Sequence, residues 1–173
     1  MKERIAARAL ELGFDACRVG PATPPEHAPE LRSWLEEGCH GTMGYLERTV
    51  AKRAEPVLVL PGAQSVIVLA ASYHRAAGDS GPFDRKPTPS RGIVARYARG
   101  ADYHEVLGPP LAELSAYVDE LGGPGTRSLW YVDTGPFLER DLAERAGVGF
   151  VGKHTNLISP GHGNWTFLAE IIT

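Results

Sequence analysis

Apolar residues recur along this chain with two different periods. Near the start, Ile5, Ala6, Ala9 and Leu10 share one side of a 3.6-residue turn, so residues 2–12 are predicted as a helix with Gly13 just past its end. A short strand is expected over 14–19, followed by a proline-rich turn over 21–29. Two helices are predicted next, over 30–37, where Gly38 stops the first, and over 43–48. Residues 65–73 form the clearest strand. Their unbroken run of Val, Ile, Leu and Ala is too short for a helix and suits the centre of a sheet.

From 74 to 92 the pattern dissolves into Gly, Pro, Ser and charge, which predicts a long exposed loop. A strand is expected over 92–98, and Asp102 stands where it would cap a helix running to Leu121. Gly108, Pro109 and Pro110 interrupt that helix, because each proline lacks an amide donor and crowds the preceding turn; a break and a restart at Pro109 are expected. A turn over 122–125 leads to a strand over 127–132. A helix over 136–146 should then start at Pro136, with Gly135 as its cap, and end at Gly147. Within it, Arg140 and Glu144, and Asp141 and Arg145, are spaced for surface pairing. A glycine-rich loop over 148–163 and a last strand over 165–172 complete the chain. Several strand connections are too short for a crossover helix, so the expected fold is α+β: one domain over 1–173, with a mixed, mostly antiparallel sheet flanked by helices.

Composition narrows the classes of function. A chain of 173 residues, 43% of them hydrophobic, can build a core without disulfides or a structural metal. No apolar run approaches the roughly 18 to 20 residues of a membrane span, and the first residues lack a signal-peptide core, so a cytoplasmic protein is expected. Cys17 and Cys39 stand singly, which reads as two buried thiols and leaves no thiolate metal site. The net charge of -3 argues against a protein that coats nucleic acid along its surface. Between positions 84 and 104, however, Arg85, Lys86, Arg91, Arg96 and Arg99 face only Asp84 and Asp102. Such a patch suits phosphate groups, and equally suits a solvated loop in an arginine-rich chain.

Gly147-x-Gly149-x-x-Gly152, with Glu170 downstream, matches a dinucleotide fingerprint in letters but not in context. That fingerprint needs a strand before it and a helix after it; here a helix precedes and 153–163 cannot form one. Asp133 carries more chemistry. It follows a predicted strand, and burial against Trp130, Tyr131 and Phe137 would raise its pKa and make it a proton donor near neutrality. Read alone, it fits a turn aspartate satisfying backbone amides as well. Lys153, His154, Thr155 and Asn156 form a polar cluster in a glycine-loosened loop, suited to a polar ligand or to solvent, and Arg53 reads by itself as a surface charge.

Six segments taken together change this balance: "LGFDACRVG", "WLEEGCHGTMGYLER", "KRAEPVLVLPGAQSVIVLAASY", "ARYARGADYHEVL", "YVDTGPFLERDLAERAGVGFVGKHTNLIS" and "GNWTFLAEIIT". In order and spacing they resemble the N-terminal half of epoxyqueuosine reductases, over nearly the whole chain. The resemblance implies a cobalamin-binding catalytic domain that reduces epoxyqueuosine to queuosine at the tRNA wobble position. It implies Asp133 as proton donor and Arg140 near the reaction centre. It also implies cofactor contacts at Arg53, Ala95, Arg96, Tyr97, Asp133, Lys153, His154, Thr155, Asn156 and Leu157, and tRNA contacts at Arg85, Lys86, Arg91 and Arg99. Two [4Fe-4S] clusters in a C-terminal ferredoxin-like domain would feed the cobalt. Their cysteine motifs are missing from this chain, so a fragment, or a relative served by a separate electron donor protein, is expected. A corrinoid carrier without catalysis and a nitroreductase-like flavin enzyme are the competing readings.

Overall fold

In the computed structural model, residues 1–74, 92 and 94–173 are described. Helices α1 (Lys2–Glu11), α2 (Ala28–Glu36), α3 (Gly44–Ala54), α4 (Tyr103–Gly122) and α5 (Glu139–Ala146) are joined to strands β1 (Ala16–Pro21), β2 (Ser65–Ser72), β3 (Leu129–Tyr131), β4 (Phe150–Val151), β5 (Leu157–Ile158) and β6 (Thr166–Ile172). The fold is α+β, as expected. Four strands form the main sheet in the order β1-β2-β6-β3, and every neighbouring pair is antiparallel.

The apolar run of β2 is central for the reason its composition suggests: from Val66 to Ala71 every residue is buried, so both faces are covered. Alternation then splits the core in two. Ile67, Leu69, Ala169 and Ile171 face α1 and α4, where they meet Ile5, Ala9, Leu111 and Leu114. Val66, Val68 and Ile172 face the other way, against Phe137, Leu142, Ala143 and Leu157. Glu170, between Ala169 and Ile171 on β6, shares the parity of Ile172 and therefore points to the α5 face.

Several expectations are corrected. α4 runs unbroken through Pro109 and Pro110. Their missing amides leave the carbonyls of Glu105 and Val106 without helical donors, but both residues are exposed, so water can satisfy them. The buried stripe Leu107, Leu111, Leu114 and Val118 holds the helix to the sheet, each large side chain contributing about 2 kcal/mol. Among the described residues of 92–98 the expected strand is not formed. This stretch holds a short 3-10 turn, Arg96–Ala98. The loop expected over 74–92 lies almost wholly outside the described residues.

α5 begins at Glu139, three residues later than predicted. Phe137, almost fully buried, occupies the core where a first turn would have started, and any side chain at Gly135 would collide with the rings of Tyr131 and Phe137. The surface pairs expected on α5 do not form either. Arg145 instead donates to the carbonyls of Pro21, Thr23 and Pro24, Glu144 accepts from the Val151 amide, and Asp141 accepts from the amides of Glu26 and His27. α3 is longer than predicted, and the loop over 148–163 contains a small hairpin, β4 with β5. Gly147 caps α5 at φ +82°, while Gly149 passes so close to the Ile158 carbonyl that a Cβ would lie 2.2 Å from it. Those glycines serve the chain turn rather than a dinucleotide. Cys17 is buried but Cys39 is exposed, on the turn after α2. Among the described residues no helix is long and apolar enough to cross a membrane.

Candidate active site

The ends of α2, α3 and α5 and the turn after β3 converge on a hollow of about 740 Å3. Leu31, Trp34, Leu46 and Phe137 supply its apolar walls, and Arg53, Asp133, Glu139, Arg140 and Thr155 its polar groups. Two of these residues have a backbone that L side chains seldom adopt. Asp133 at φ 55° and Thr155 at φ 66° are the non-glycine residues with positive φ among the described residues, and both line this hollow. Such conformations cost on the order of 1 to 3 kcal/mol and gather at functional sites.

Each polar group is held by a different element. The Tyr103 hydroxyl, from the first turn of α4, donates to Asp133 Oδ2 at 2.5 Å. Arg53, at the end of α3, donates from Nη1 to the Phe137 carbonyl at 2.8 Å and from Nε to Thr49 Oγ1 at 3.0 Å. Arg140 on α5 donates to the Thr155 carbonyl and so ties the β4-β5 hairpin to the helix. On the far wall, Asp141 accepts from the His27 amide at 2.8 Å and lies 3.1 Å from His27 Nδ1. That contact raises the pKa of His27.

The shielding predicted for Asp133 falls elsewhere. Asp133 is exposed at the lip of the hollow, Trp130 packs toward Gly108 and is itself partly exposed, and of the three aromatic walls expected only Phe137 lines the space. The carboxyls that burial raises are those of Glu139, half-buried on the wall of the hollow, and Glu170, fully buried on β6; the sequence pointed to no acid-base role for either. Burial pushes the Glu139 carboxyl up to about 7 and the charge of Asp133 adds to the effect, while Arg53 and Arg140 oppose it. Glu170 is fully buried, and neither of its oxygens has a hydrogen-bond partner. Burial, then the charges of Glu139 and Asp133, hold its carboxyl well above the usual carboxylate range. Burial first, and then the bond to Asp133, also raise the pKa of Tyr103. A signal for Glu170 was present, as a single acid inside the apolar strand TFLAEII; none was present for Glu139 or Tyr103, which read as ordinary first-turn helix residues.

Of the site residues expected, Arg53, Asp133, Arg140 and Thr155 meet at the hollow. Lys153, His154 and Asn156 lie exposed on the adjoining hairpin, with the Asn164 amide nitrogen 3.1 Å from His154 Nε2. Leu157 is buried in the α5-side core, so any ligand contact there falls to its backbone. Ala95 and Tyr97 are exposed, and Arg96 lies over the Trp165 ring at 4.4 Å. Arg99 donates to the Val94 carbonyl at 2.8 Å. Arg85, Lys86 and Arg91 fall outside the described residues.

Known proteins share both the sequence and this architecture. The family model described as "Epoxyqueuosine reductase QueG, DUF1730" matches residues 53–134. The epoxyqueuosine reductase of Gloeobacter violaceus is 41% identical over 172 residues, which is 98% of this chain and 51% of that protein. Among solved structures, epoxyqueuosine reductase from Streptococcus thermophilus superposes with a TM-score of 0.85 at 29% identity, over 99% of this chain and 45% of that one. An epoxyqueuosine reductase solved with an epoxyqueuosine-modified tRNA-Tyr stem loop gives 0.82 at 32% identity, covering 99% and 44%. The Bacillus subtilis enzyme, described with its catalytic aspartate loop swung out of the active site, gives 0.80 at 30% identity, covering 99% and 44%. The chain is therefore similar over nearly its whole length to epoxyqueuosine reductases, and it spans about half the length of the curated relatives it matches.

Proposed function

We propose that this chain is the cobalamin-binding, catalytic part of an epoxyqueuosine reductase, and that Asp133 gives a proton to the epoxide oxygen as it leaves. The observation that carries this reading is the placement of Asp133. Its backbone is held in a strained conformation, its carboxylate is anchored by Tyr103, and both sit at the lip of a hollow with apolar walls and two guanidinium groups. The family supplies the chemistry that such a placement would serve.

The residues present suit a flat macrocycle bearing amide groups. Leu31, Trp34 and Phe137 offer an apolar wall, and Arg53, Arg140 and Thr155 offer polar groups at one edge. We assign the exposed polar side chains of Lys153, His154 and Asn156, and backbone at Ala95, Arg96, Tyr97 and Leu157, to the rest of the cofactor. Cobalamin bound there would supply two electrons, delivered by iron-sulfur clusters of a further domain or of a separate donor protein. This chain's own residues then have two tasks. Arg53 and Arg140 orient the bound groups and stabilise negative charge, and Asp133, at a lip open to an RNA loop, protonates the oxygen. Arg85, Lys86, Arg91 and Arg99 are proposed to hold tRNA phosphates, a contact that weakens with salt.

The test is Asp133→Asn in the complete reductase, followed by corrin absorbance and by mass analysis of the nucleoside product. Loss of reduction with cobalamin binding intact supports the reading. Retained reduction overturns Asp133 as donor; tight FMN binding with no corrin band overturns the cofactor; and corrin binding with no reduction by wild-type protein points to a carrier.

A further inference from the structure

Removing an epoxide oxygen as water, with an alkene left behind, consumes two electrons and two protons. Two C–O bonds break and one C=C bond forms. One carboxylic acid carries one proton, so a site with Asp133 as its donor is a proton short in every turnover. The structure places two further carboxyl groups behind Asp133 for which the reading so far has no use. Glu139 opens α5 and lines the same hollow. Glu170 lies in the middle of β6 on the face that α5 covers, fully buried and with both oxygens unpartnered. An unpartnered buried carboxyl costs stability and usually has a purpose.

We propose that Glu139 is the proton relay that recharges Asp133 between the two protonation steps, with Glu170 as the buried acid behind it. The proposal rests on Asp133 as the terminal donor. In the first step Asp133 passes its proton to the oxygen as one C–O bond breaks, and becomes a carboxylate. The Glu139 carboxyl then gives its proton to that carboxylate, directly or through water in the hollow. Asp133 delivers this second proton as the other C–O bond breaks and water leaves, with both electrons coming from the reduced cobalt cofactor. Glu139, now an anion, is stabilised by Arg53 and Arg140, and regains its proton from solvent through the open side of the hollow.

The charged and titratable groups around Glu139 suit this cycle. Asp133 on the turn after β3 opposes its ionisation, Arg53 on α3 and Arg140 on α5 favour it, and its own charge acts on Glu170 of β6 and Tyr103 of α4. The balance leaves Glu139 titrating at about 7, where a relay can both give and regain a proton.

Three measurements test it. In wild-type protein labelled with 13C only in glutamate carboxyls, NMR should show one carboxyl titrating near pH 7 and a second titrating well above the ordinary carboxylate range. Glu139→Gln should remove the first signal and Glu170→Gln the second. In the complete reductase, wild-type turnover should fall as pH rises through about 7, while Glu139→Gln should be about 100-fold slower and lack that limb, and Glu139→Asp should restore it in part. If all glutamates titrate in the ordinary carboxylate range, or Glu139→Gln keeps the wild-type rate and pH limb, the relay is wrong. Asp133→Asn separates the two levels. If it is inactive while Glu139→Gln behaves as wild type, only the relay fails; if it remains active, the terminal donor fails, whatever the NMR titrations show.

Discussion

The Tyr103 hydroxyl meets Asp133 Oδ2 at 2.5 Å, and this bond joins the first turn of α4 to the turn after β3 across the mouth of the hollow. The Tyr103 ring is anchored independently, stacked on Phe167 at 4.3 Å with an interplanar angle of 9°. Tyr103→Phe therefore removes the bond and keeps the packing. Stability should change by less than about 1.5 kcal/mol, because the freed carboxylate at the lip is solvated. Turnover should fall roughly tenfold with little change in KM, which steady-state kinetics of the complete reductase would show.

Asp133 has φ 55°, which is easy for Gly and tolerable for Asn, but costly for a β-branched residue. Asp133→Gly and Asp133→Asn should keep stability within about 1 kcal/mol of wild type, while Asp133→Val should lose roughly 2 kcal/mol. All three should be inactive. Thermal melts set beside activity would separate the backbone demand at this position from the chemical one.

The raised acids predict a pH dependence of stability with a definite sign. An acid whose pKa is higher folded than unfolded holds an extra proton in the native state between those two values, so stability falls as pH rises through that interval. For Glu139 the interval runs from its ordinary value of 4.5 to about 7, worth on the order of 3 kcal/mol. Glu170 extends the decline to higher pH. Urea unfolding from pH 5 to 9 should show this loss, and Glu170→Gln should flatten its upper part. Unchanged slopes in that variant would mean Glu170 does not stay protonated.

Arg145 donates to three backbone carbonyls of the proline-rich turn and to Thr23 Oγ1. A lysine can reach only part of this set, because its ammonium lacks the planar fork. Arg145→Lys should cost about 1 to 2 kcal/mol and expose residues 21–27 to proteases, visible as a new early cleavage in limited proteolysis.

Much of the architecture could be read from the chain alone. The continuous apolar run of β2, the glycine caps after α1 and α5, and the Asp102 cap of α4, whose carboxylate accepts the His104 amide at 2.9 Å, are local properties, and local physics settles them. Asp133 and Thr155 stand out by pattern, with blander readings open beside them, and the family resemblance is what joins them to Arg53 and Arg140 as one site. What local physics could not decide is where a side chain ends up when distant elements close over it. Pro109 and Pro110 stay in a helix because the carbonyls they strand face water. Arg145 leaves its helical neighbour for a loop more than 100 residues away in the chain. Glu139 and Glu170 acquire a shared environment only when α5 lies across β6, since burial and like charge depend on what the whole fold excludes from water. Sequence determined the central strands, the caps and the family resemblance; the tertiary structure decided which acids are shielded.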